Sequence, residues 1–374
     1  MAISPLGLMY GSAGGFLSPE NLVGRSNNKF PPDTATVAGL IFNTNRENQA
    51  TGKSFIPHAE LSQNLTVAGP FWAKRDDPSR FYVPIPRHYI IDQEGSDKWM
   101  LVNKHTQEID DVEAPTWQLN QQVWNRESNQ EGLDAKYYWQ DINDWDRDAE
   151  DVRDRCAKTP WEPTPFLHPK LKSDERHVIK EDGLFLENAI RLDDDYCLVY
   201  LTTLALDQNL TNGWYRLGGE GHIVEIETHD LDKTHIINEK LNRTIGHAFA
   251  LITPGIWGSN NYSYRYPQHS SFPKKDLKML TDKPVLYRYR IGQSRQENAK
   301  NFDPAYDSSK TGRLSRGRYA VPPGSVYVFR EPLNRTWWDF PDEWFPKEGF
   351  PLKHLGCGLC LPIEIKGLPN LVEA

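Results

Sequence analysis

Proline interrupts this sequence so often that regular structure has to come in short pieces. The chain holds 27 prolines and 26 glycines in 374 residues. Proline fixes φ and removes a backbone donor, and glycine admits angles closed to other residues. Clusters such as Phe30-Pro31-Pro32, Val83-Pro84-Ile85-Pro86 and Pro160, Pro163, Pro165 and Pro169 exclude an all-helical bundle. Apolar residues make up only 38%, yet 12 Trp, 16 Tyr and 15 Phe each bury a large surface, so the chain should fold, with irregular stretches between its elements. Its length predicts two domains, one over 1–175 and one over 176–374.

No run approaches the roughly 20 apolar residues that cross a bilayer. Met1 to Phe16 lacks the basic start and apolar core of a signal peptide. A cytoplasmic protein without membrane contact is expected. Cys156, Cys197, Cys357 and Cys360 are too few for a disulfide scaffold and form only one C-x-x-C, so no metal or other cofactor is expected.

The net charge of -8 argues against a freestanding, non-specific nucleic-acid binder, because phosphate neutralisation supplies such affinity. The charge is segregated, however. Residues 107–155 hold 14 acidic and 5 basic side chains, whereas residues 285–318 hold 8 basic and 3 acidic. One part of the surface repels phosphate and another attracts it.

Along the chain, Phe30-Pro31-Pro32 ends an extended piece, and Asp33 or Thr34 can cap a helix. The small residues Ala35, Ala38 and Gly39 would let that helix lie close to a sheet. Gly69-Pro70-Phe71-Trp72 and Phe81 to Pro86 read as edge or extended segments rather than central strands. Residues 107–170 lose periodicity and collect Asp, Asn, Gln and tryptophan, among them Trp117, Trp124, Trp139 and Trp145. This reads as an ordered insertion or a partner-docking arm, with a short helix over 146–156. Strands are expected at Tyr196 to Leu206, Ile223 to Glu227, Ala248 to Thr253, Val285 to Ile291, Val326 to Phe329 and Leu361 to Ile365. In Val285 to Ile291 the alternation puts Arg288 and Arg290 on one face and Tyr287, Tyr289 and Ile291 on the other. Asp276 to Leu280 reads as a helix between strands. The order of elements is that of an α+β chain.

Three segments carry recognition chemistry. Leu217-Gly218-Gly219-Glu220-Gly221-His222 offers free backbone N–H groups that can form an anion-binding nest; the plainer reading is a tight turn starting a strand. It lacks the Gly-Lys-Ser/Thr ending of a P-loop. Lys353-His354-Leu355-Gly356-Cys357-Gly358 repeats the combination, with backbone donors and Lys353 placed to hold a phosphodiester. Lys310 to Tyr319 sets four cations, among them Arg313, Arg316 and Arg318, on a Gly-punctuated linker. Arginine suits bidentate phosphate contacts and base stacking, and a solvated basic loop is the plainer alternative. No H-E-x-x-H or G-x-S-x-G occurs among these residues. Asp193-Asp194-Asp195 reads as a solvated turn before Tyr196 rather than a carboxylate pair.

The order of these segments is informative. Ile3-Ser4-Pro5-Leu6, Phe30-Pro31-Pro32 to Gly39-Leu40, Gly69-Pro70-Phe71, Val83-Pro84-Ile85-Pro86, Leu217 to Glu220, Leu251-Ile252-Thr253-Pro254, Ala320 to Tyr327 and Leu355 to Gly358 resemble, in register, the landmarks of the third subunit of Cmr-type (type III-B) CRISPR effector complexes, a RAMP-superfamily family. Leu-Gly-Gly-Glu and Val-Pro-Pro-Gly-Ser-Val-Tyr are the most specific. The resemblance implies two ferredoxin-like (RRM-like) domains with long insertions and binding of the 5′ tag of the crRNA. It also implies contact with the polymerase-like large subunit and with the RNA-cleaving backbone RAMP subunit, indirect contact with target RNA, and no catalytic residue.

The residues expected at the RNA are Lys29, Gly39, Gly218, Gly219, Glu220, His222, Arg288, Arg290, Arg313, Arg316, Arg318, Lys353, His354, Gly356 and Gly358. Where the family has Asp after the opening Pro-Leu and Arg shortly downstream, this chain has Gly7 and Tyr10-Gly11, which predicts different contacts for that opening loop. Two alternatives compete: a guide-processing endoribonuclease of the same superfamily with His222 as general base, and a carbohydrate-active protein built on the Trp/Asp segment.

Overall fold

The computed structural model describes residues 1–9, 30–110, 117–128, 132–169, 172, 177–178, 184–206, 210–259, 261–289 and 315–369. In chain order the first half contains β1 (Ala2–Pro5), α1 (Thr34–Thr51), α2 (His58–Asn64), β2 (Val67–Lys74), β3 (Tyr82–Pro84), β4 (Tyr89–Ile91), β5 (Ser96–Asn103), β6 (Gln122–Arg126), β7 (Trp139–Asp141), α3 (Ala149–Arg153), β8 (Trp161–Pro169), β9 (Leu184–Leu192), β10 (Tyr196–Thr202), β11 (Gly213–Leu217) and β12 (His222–Glu227). Seven of these strands form one sheet in the order β11-β12-β1-β10-β2-β3-β7. The pairings within it are antiparallel. The fold is mixed and strand-rich with few helices, and among the described residues no helix is long and apolar enough to cross a membrane.

Helix α1 lies on this sheet. Asp33 takes the N-cap position with extended dihedrals, and Gly52 ends the helix at φ 71, the left-handed angle glycine adopts without strain. Its buried face is Val37, Ala38, Leu40 and Ile41, where each large aliphatic side chain contributes about 1.5–3 kcal/mol on burial. The small-residue face expected at Ala35, Ala38 and Gly39 is corrected: Gly39 is exposed and a side chain there would meet nothing within 4 Å.

The expectation that Gly69-Pro70 and Val83-Pro84 avoid central strands is also corrected. β2 lies between β10 and β3, and β3 lies between β2 and β7. The sheet tolerates Pro70 because its ladder skips that point: Phe71 pairs with Val199 and Ala68 with Leu201, a register shift that leaves Tyr200 out. Tyr200 N–H donates instead to Met1 O at 2.9 Å. A proline lacking its N–H costs nothing where no ladder bond is due.

The acidic Trp-rich segment is built into the fold. β5 and β6 form a hairpin, β7 joins the large sheet, and α3 is the short helix expected over 146–156, capped by the Asp148 carboxylate accepting from Ala149 N–H at 2.9 Å. The segment's tryptophans pack on the chain's own core to different depths. Trp145 is buried and its Nε1 donates to Pro362 O at 2.9 Å, while Trp117, Trp124 and Trp139 pack half-buried on the core. Several carboxylates are paired within the chain, as where Asp144 accepts from Arg147 at 2.6 Å and Arg155 at 3.1 Å.

The remaining elements are α4 (Ile236–Asn242), β13 (Ala248–Leu251), β14 (Trp257–Gly258), β15 (Ser263–Tyr264), β16 (Lys278–Leu280), β17 (Val285–Tyr287), β18 (Arg318–Ala320), β19 (Val326–Val328) and β20 (Cys360–Pro362). A second sheet runs β16-β19-β13-β20. The helix expected over Asp276 to Leu280 is a strand, because Lys278 to Leu280 pair with Val326 to Val328 and the ladder outweighs local helix preference. The expected boundary near 175 falls between β8 and β9, which pair along their full length; the two large sheets divide instead between β12 and β13. One continuous apolar core serves both.

Candidate nucleic-acid interface

The first turn of α1 is where the predicted segments meet. On one flank is the β11–β12 turn, in which Leu217 pairs with His222 and Gly221 N–H donates to Gly218 O at 3.2 Å. Gly218 and Gly221 have φ 73 and 66, angles that explain glycine at both positions. Gly218, Gly219 and Glu220 are exposed and His222 half-buried. A side chain on Gly218 would sit 3.7 Å from the Thr36 methyl, so the turn touches the helix start. The plainer reading of this motif, a tight turn that starts a strand, describes its backbone.

On the other flank is a 3-10 turn over Leu352–Leu355. Thr34 Oγ1 donates to Leu355 O at 2.8 Å, which ties the helix start to it. Here the expectation of an open phosphate loop is corrected, because the segment is occupied by its own protein. Lys353 Nζ donates to Trp338 O and Phe340 O, both at 2.7 Å, and lies 5.3 Å from the Trp337 ring. Loss of solvent lowers its pKa below the usual lysine value. His354 Nδ1 is 3.2 Å from Leu65 O and donates to it. Gly356 and Gly358 are buried. A side chain at Gly356 would fall 2.5 Å from Ala68 Cα, and one at Gly358 2.4 Å from the Trp257 ring. Both glycines are there for close packing.

The strand expected over Val285 to Ile291 is formed, among the described residues, only over Val285–Tyr287, and burial alternates from Leu286 to Tyr289. Tyr287 and Tyr289 are buried and Arg288 is exposed, with Arg288 Nε donating to Ser315 O at 3.1 Å. Arg316 is exposed next to it, its Nη1 3.4 Å from Asn261 Oδ1. Arg318 is different. It is 4% exposed and paired at 2.9 Å with Glu348, which is 7% exposed, and its Nη1 donates to Ser259 O at 2.9 Å. The expectation that Arg318 reaches a ligand is corrected: in the register of β17 with β18 it stands opposite Tyr287, in the inward row. Lys29, Arg290 and Arg313 lie outside the described residues.

A chain of contacts joins these parts. The Tyr287 hydroxyl is 3.6 Å from Cys357 Sγ, in the segment that receives Thr34, and the Tyr200 hydroxyl donates to Pro32 O at 2.5 Å. Sequence reasoning missed Glu348, Tyr200 and the anchoring role of Thr34; the Pro-Pro-Asp-Thr string signalled a helix start but not its long-range partner. Asp193-Asp194-Asp195 is the expected turn, with Asp193 Oδ1 accepting from Asp195 N–H at 3.1 Å. Among the described residues no group of three His, Cys, Asp or Glu is placed to hold a metal ion.

The profile of the family described as CRISPR-associated protein (Cas_Cmr3) matches residues 8–362. No curated protein matches the chain. Among solved structures, a chain of type III-B Cmr-beta bound to cognate target RNA aligns at 13% identity and TM-score 0.44, over 87% of this chain and 85% of that one. A chain of the same assembly with target RNA and AMPPnP aligns at 14% identity and TM-score 0.42, over 87% and 85%. A chain of the Csm3-Csm4 subcomplex of the type III-A CRISPR-Cas interference complex aligns at 11% and 0.31, over 89% and 94%.

Proposed function

Because this chain belongs to the Cas_Cmr3 family of CRISPR-associated proteins, we propose that it is a non-catalytic RNA-binding subunit of a type III-B Cmr effector complex, acting in the cytoplasm. In this reading it holds the 5′ tag of the crRNA and bridges the polymerase-like large subunit to the RNA-cleaving backbone subunit. The observation that carries the reading is the convergence on the first turn of α1. An exposed glycine turn lies on one side, and the β17–β18 ribbon, with exposed Arg288 just after β17 and exposed Arg316 just before β18, joins from the other through Tyr287 and Cys357. Backbone donors and guanidinium groups are what an RNA backbone requires, and no reactive side chain is needed.

The strand order β12-β1-β10-β2, antiparallel throughout, with α1 crossing from β1 to β2, supports a ferredoxin-like first domain; a ferredoxin-like second domain built on the β13 sheet is part of the same proposal. His222 is assigned no chemical step.

The test is guide retention by the assembled complex as a function of salt. Changing Arg288 and Arg316 together to Ala should weaken retention and flatten the slope of log affinity against log salt by about 1.4, two single-strand phosphate contacts at about 0.7 each. An unchanged slope refutes the assignment. Loss of RNA cleavage in a His222→Ala complex with normal guide loading would move the function to the endoribonuclease alternative.

A further inference from the structure

The outer face of the β17–β18 ribbon carries more than arginine. Leu286 stands directly across from Tyr319, and the two are 71% and 59% exposed. Tyr319 N–H donates to Ser263 Oγ at 3.1 Å, which brings in β15 and its neighbours. Tyr262 and Tyr264 are 66% and 40% exposed, with ring centroids 6.4 Å apart. Tyr264 and Tyr319 line a cavity of about 200 Å³ together with Arg265, Pro284 and Pro322. Tyr319 on β18, Tyr264 on β15 and Tyr262 just before β15 thus turn their rings to solvent.

The charge around this face discriminates between occupants. Residues 261–266, 281–289 and 315–322 carry Arg265, Lys283, Arg288, Arg316 and Arg318 against a single carboxylate, Asp282. Asp282 is bridged to Arg87 at 3.3 Å, and Arg318 is neutralised by Glu348. Tyrosine and arginine are enriched at protein interfaces too, and the net positive charge is what favours a polyanion on this face. Single-stranded nucleic acid fits it because every base has a face that stacks and every linkage a phosphate to neutralise.

We infer that this tyrosine face is a stacking surface for single-stranded RNA, with bases on Tyr319, Tyr264 and Tyr262 and phosphates on Arg288, Arg316 and Arg265. The inference rests on the reading of the chain as an RNA-binding subunit and adds to it the residues that take the bases. Duplex RNA cannot use the surface, since its bases are already stacked.

The experiment measures binding of a labelled, mixed-sequence single-stranded RNA, and of the same strand annealed into a duplex, to the full chain at low salt. The parent is compared with Tyr264→Ala/Tyr319→Ala and with Tyr264→Phe/Tyr319→Phe, each checked by its melting temperature. The Ala pair should lose about tenfold or more in single-strand affinity, since stacking contributes about 1–3 kcal/mol per base. The Phe pair should match the parent, and 4-thiouridine in the strand should crosslink to peptides containing Tyr264 or Tyr319. Parent-like affinity in the Ala pair overturns the inference and leaves the RNA-subunit reading standing. A parent that binds no single strand overturns the inference, while guide retention by the assembled complex separately decides the RNA-subunit reading. If the Ala pair keeps its RNA affinity but drops out of the assembled complex, the face belongs to a protein neighbour and the inference fails.

Discussion

Arg318→Ala is the substitution that best separates an arginine that holds the fold from one that meets a ligand. The Arg318 guanidinium and the Glu348 carboxylate are both nearly sealed from water at 2.9 Å. A second nitrogen satisfies Ser259 O, while Nε has no partner. Removing the arginine strips a buried carboxylate of its charged partner, leaving it the Arg316 N–H at 3.3 Å, and leaves a carbonyl without its donor, at a cost of about 3–5 kcal/mol. Arg316→Ala, two residues away and exposed, should stay within about 0.5 kcal/mol of the parent. Urea denaturation reads both. Replacing the pair together, Arg318→Met with Glu348→Met, should recover most of the loss, because apolar side chains of similar volume often substitute for a buried ion pair without penalty. At temperatures where Arg318→Ala remains folded it should retain guide RNA as the parent does. Equal urea midpoints for Arg318→Ala and Arg316→Ala would refute the burial argument, and a lost salt slope in folded Arg318→Ala would return this residue to the RNA.

His88 predicts a pH dependence. Burial, reinforced by the Lys98 ammonium and opposed by Asp148, pushes its imidazole from 6.5 down to about 3, so between those values only the unfolded chain takes the proton. Stability should therefore fall by about 1.4 kcal/mol for each pH unit below 6.5, and His88→Gln should flatten that dependence in melts between pH 7 and 5; an unchanged slope rules the histidine out as its source. Gly356→Ala should destabilise by roughly 2–4 kcal/mol, because its Cβ would meet Ala68 Cα at 2.5 Å from a left-handed backbone at φ 64. Gly219→Ala, in open space, should change melting by less than about 0.5 kcal/mol, and equal effects at the two glycines would contradict the packing role given to Gly356.

Local periodicity carried the strand readings that were correct. Tyr196 to Leu206, Ile223 to Glu227 and Val326 to Phe329 alternate or run apolar, and strands form there over Tyr196–Thr202, His222–Glu227 and Val326–Val328. Errors came where a partner across the sheet decided the matter. Lys278 to Leu280 has no strand signal of its own and is held by β19. Gly69-Pro70 should break a central strand, and is accommodated only because β10 shifts register opposite it. Neither the partner nor the shift is written near the residues it rescues. Composition left 107–170 open between an ordered insertion and a docking arm, and a ring such as Trp145 finds its acceptor at Pro362, 217 positions away, where no local pattern points.

The same limit governs the candidate site, and it explains why residue type alone assigned the wrong arginine. Arg288, Arg316 and Arg318 are chemically identical, and two of them share an i, i+2 spacing that on one strand would put both on one face. β18 begins only at Arg318, so Arg316 lies before the strand and its side chain does not follow the alternation. From there the register decides: Arg318 falls opposite Tyr287 in the inward row, and Tyr319 opposite Leu286 in the outward row. Shifting the pairing by one residue would exchange them, burying Tyr319 and exposing the Arg318 guanidinium. The buried carboxylate of Glu348, far along the chain, holds the observed register by giving Arg318 an inward partner. Glu348→Gln weakens that hold while keeping the side chain's shape, so it should lower stability and loosen the tyrosine face in one step.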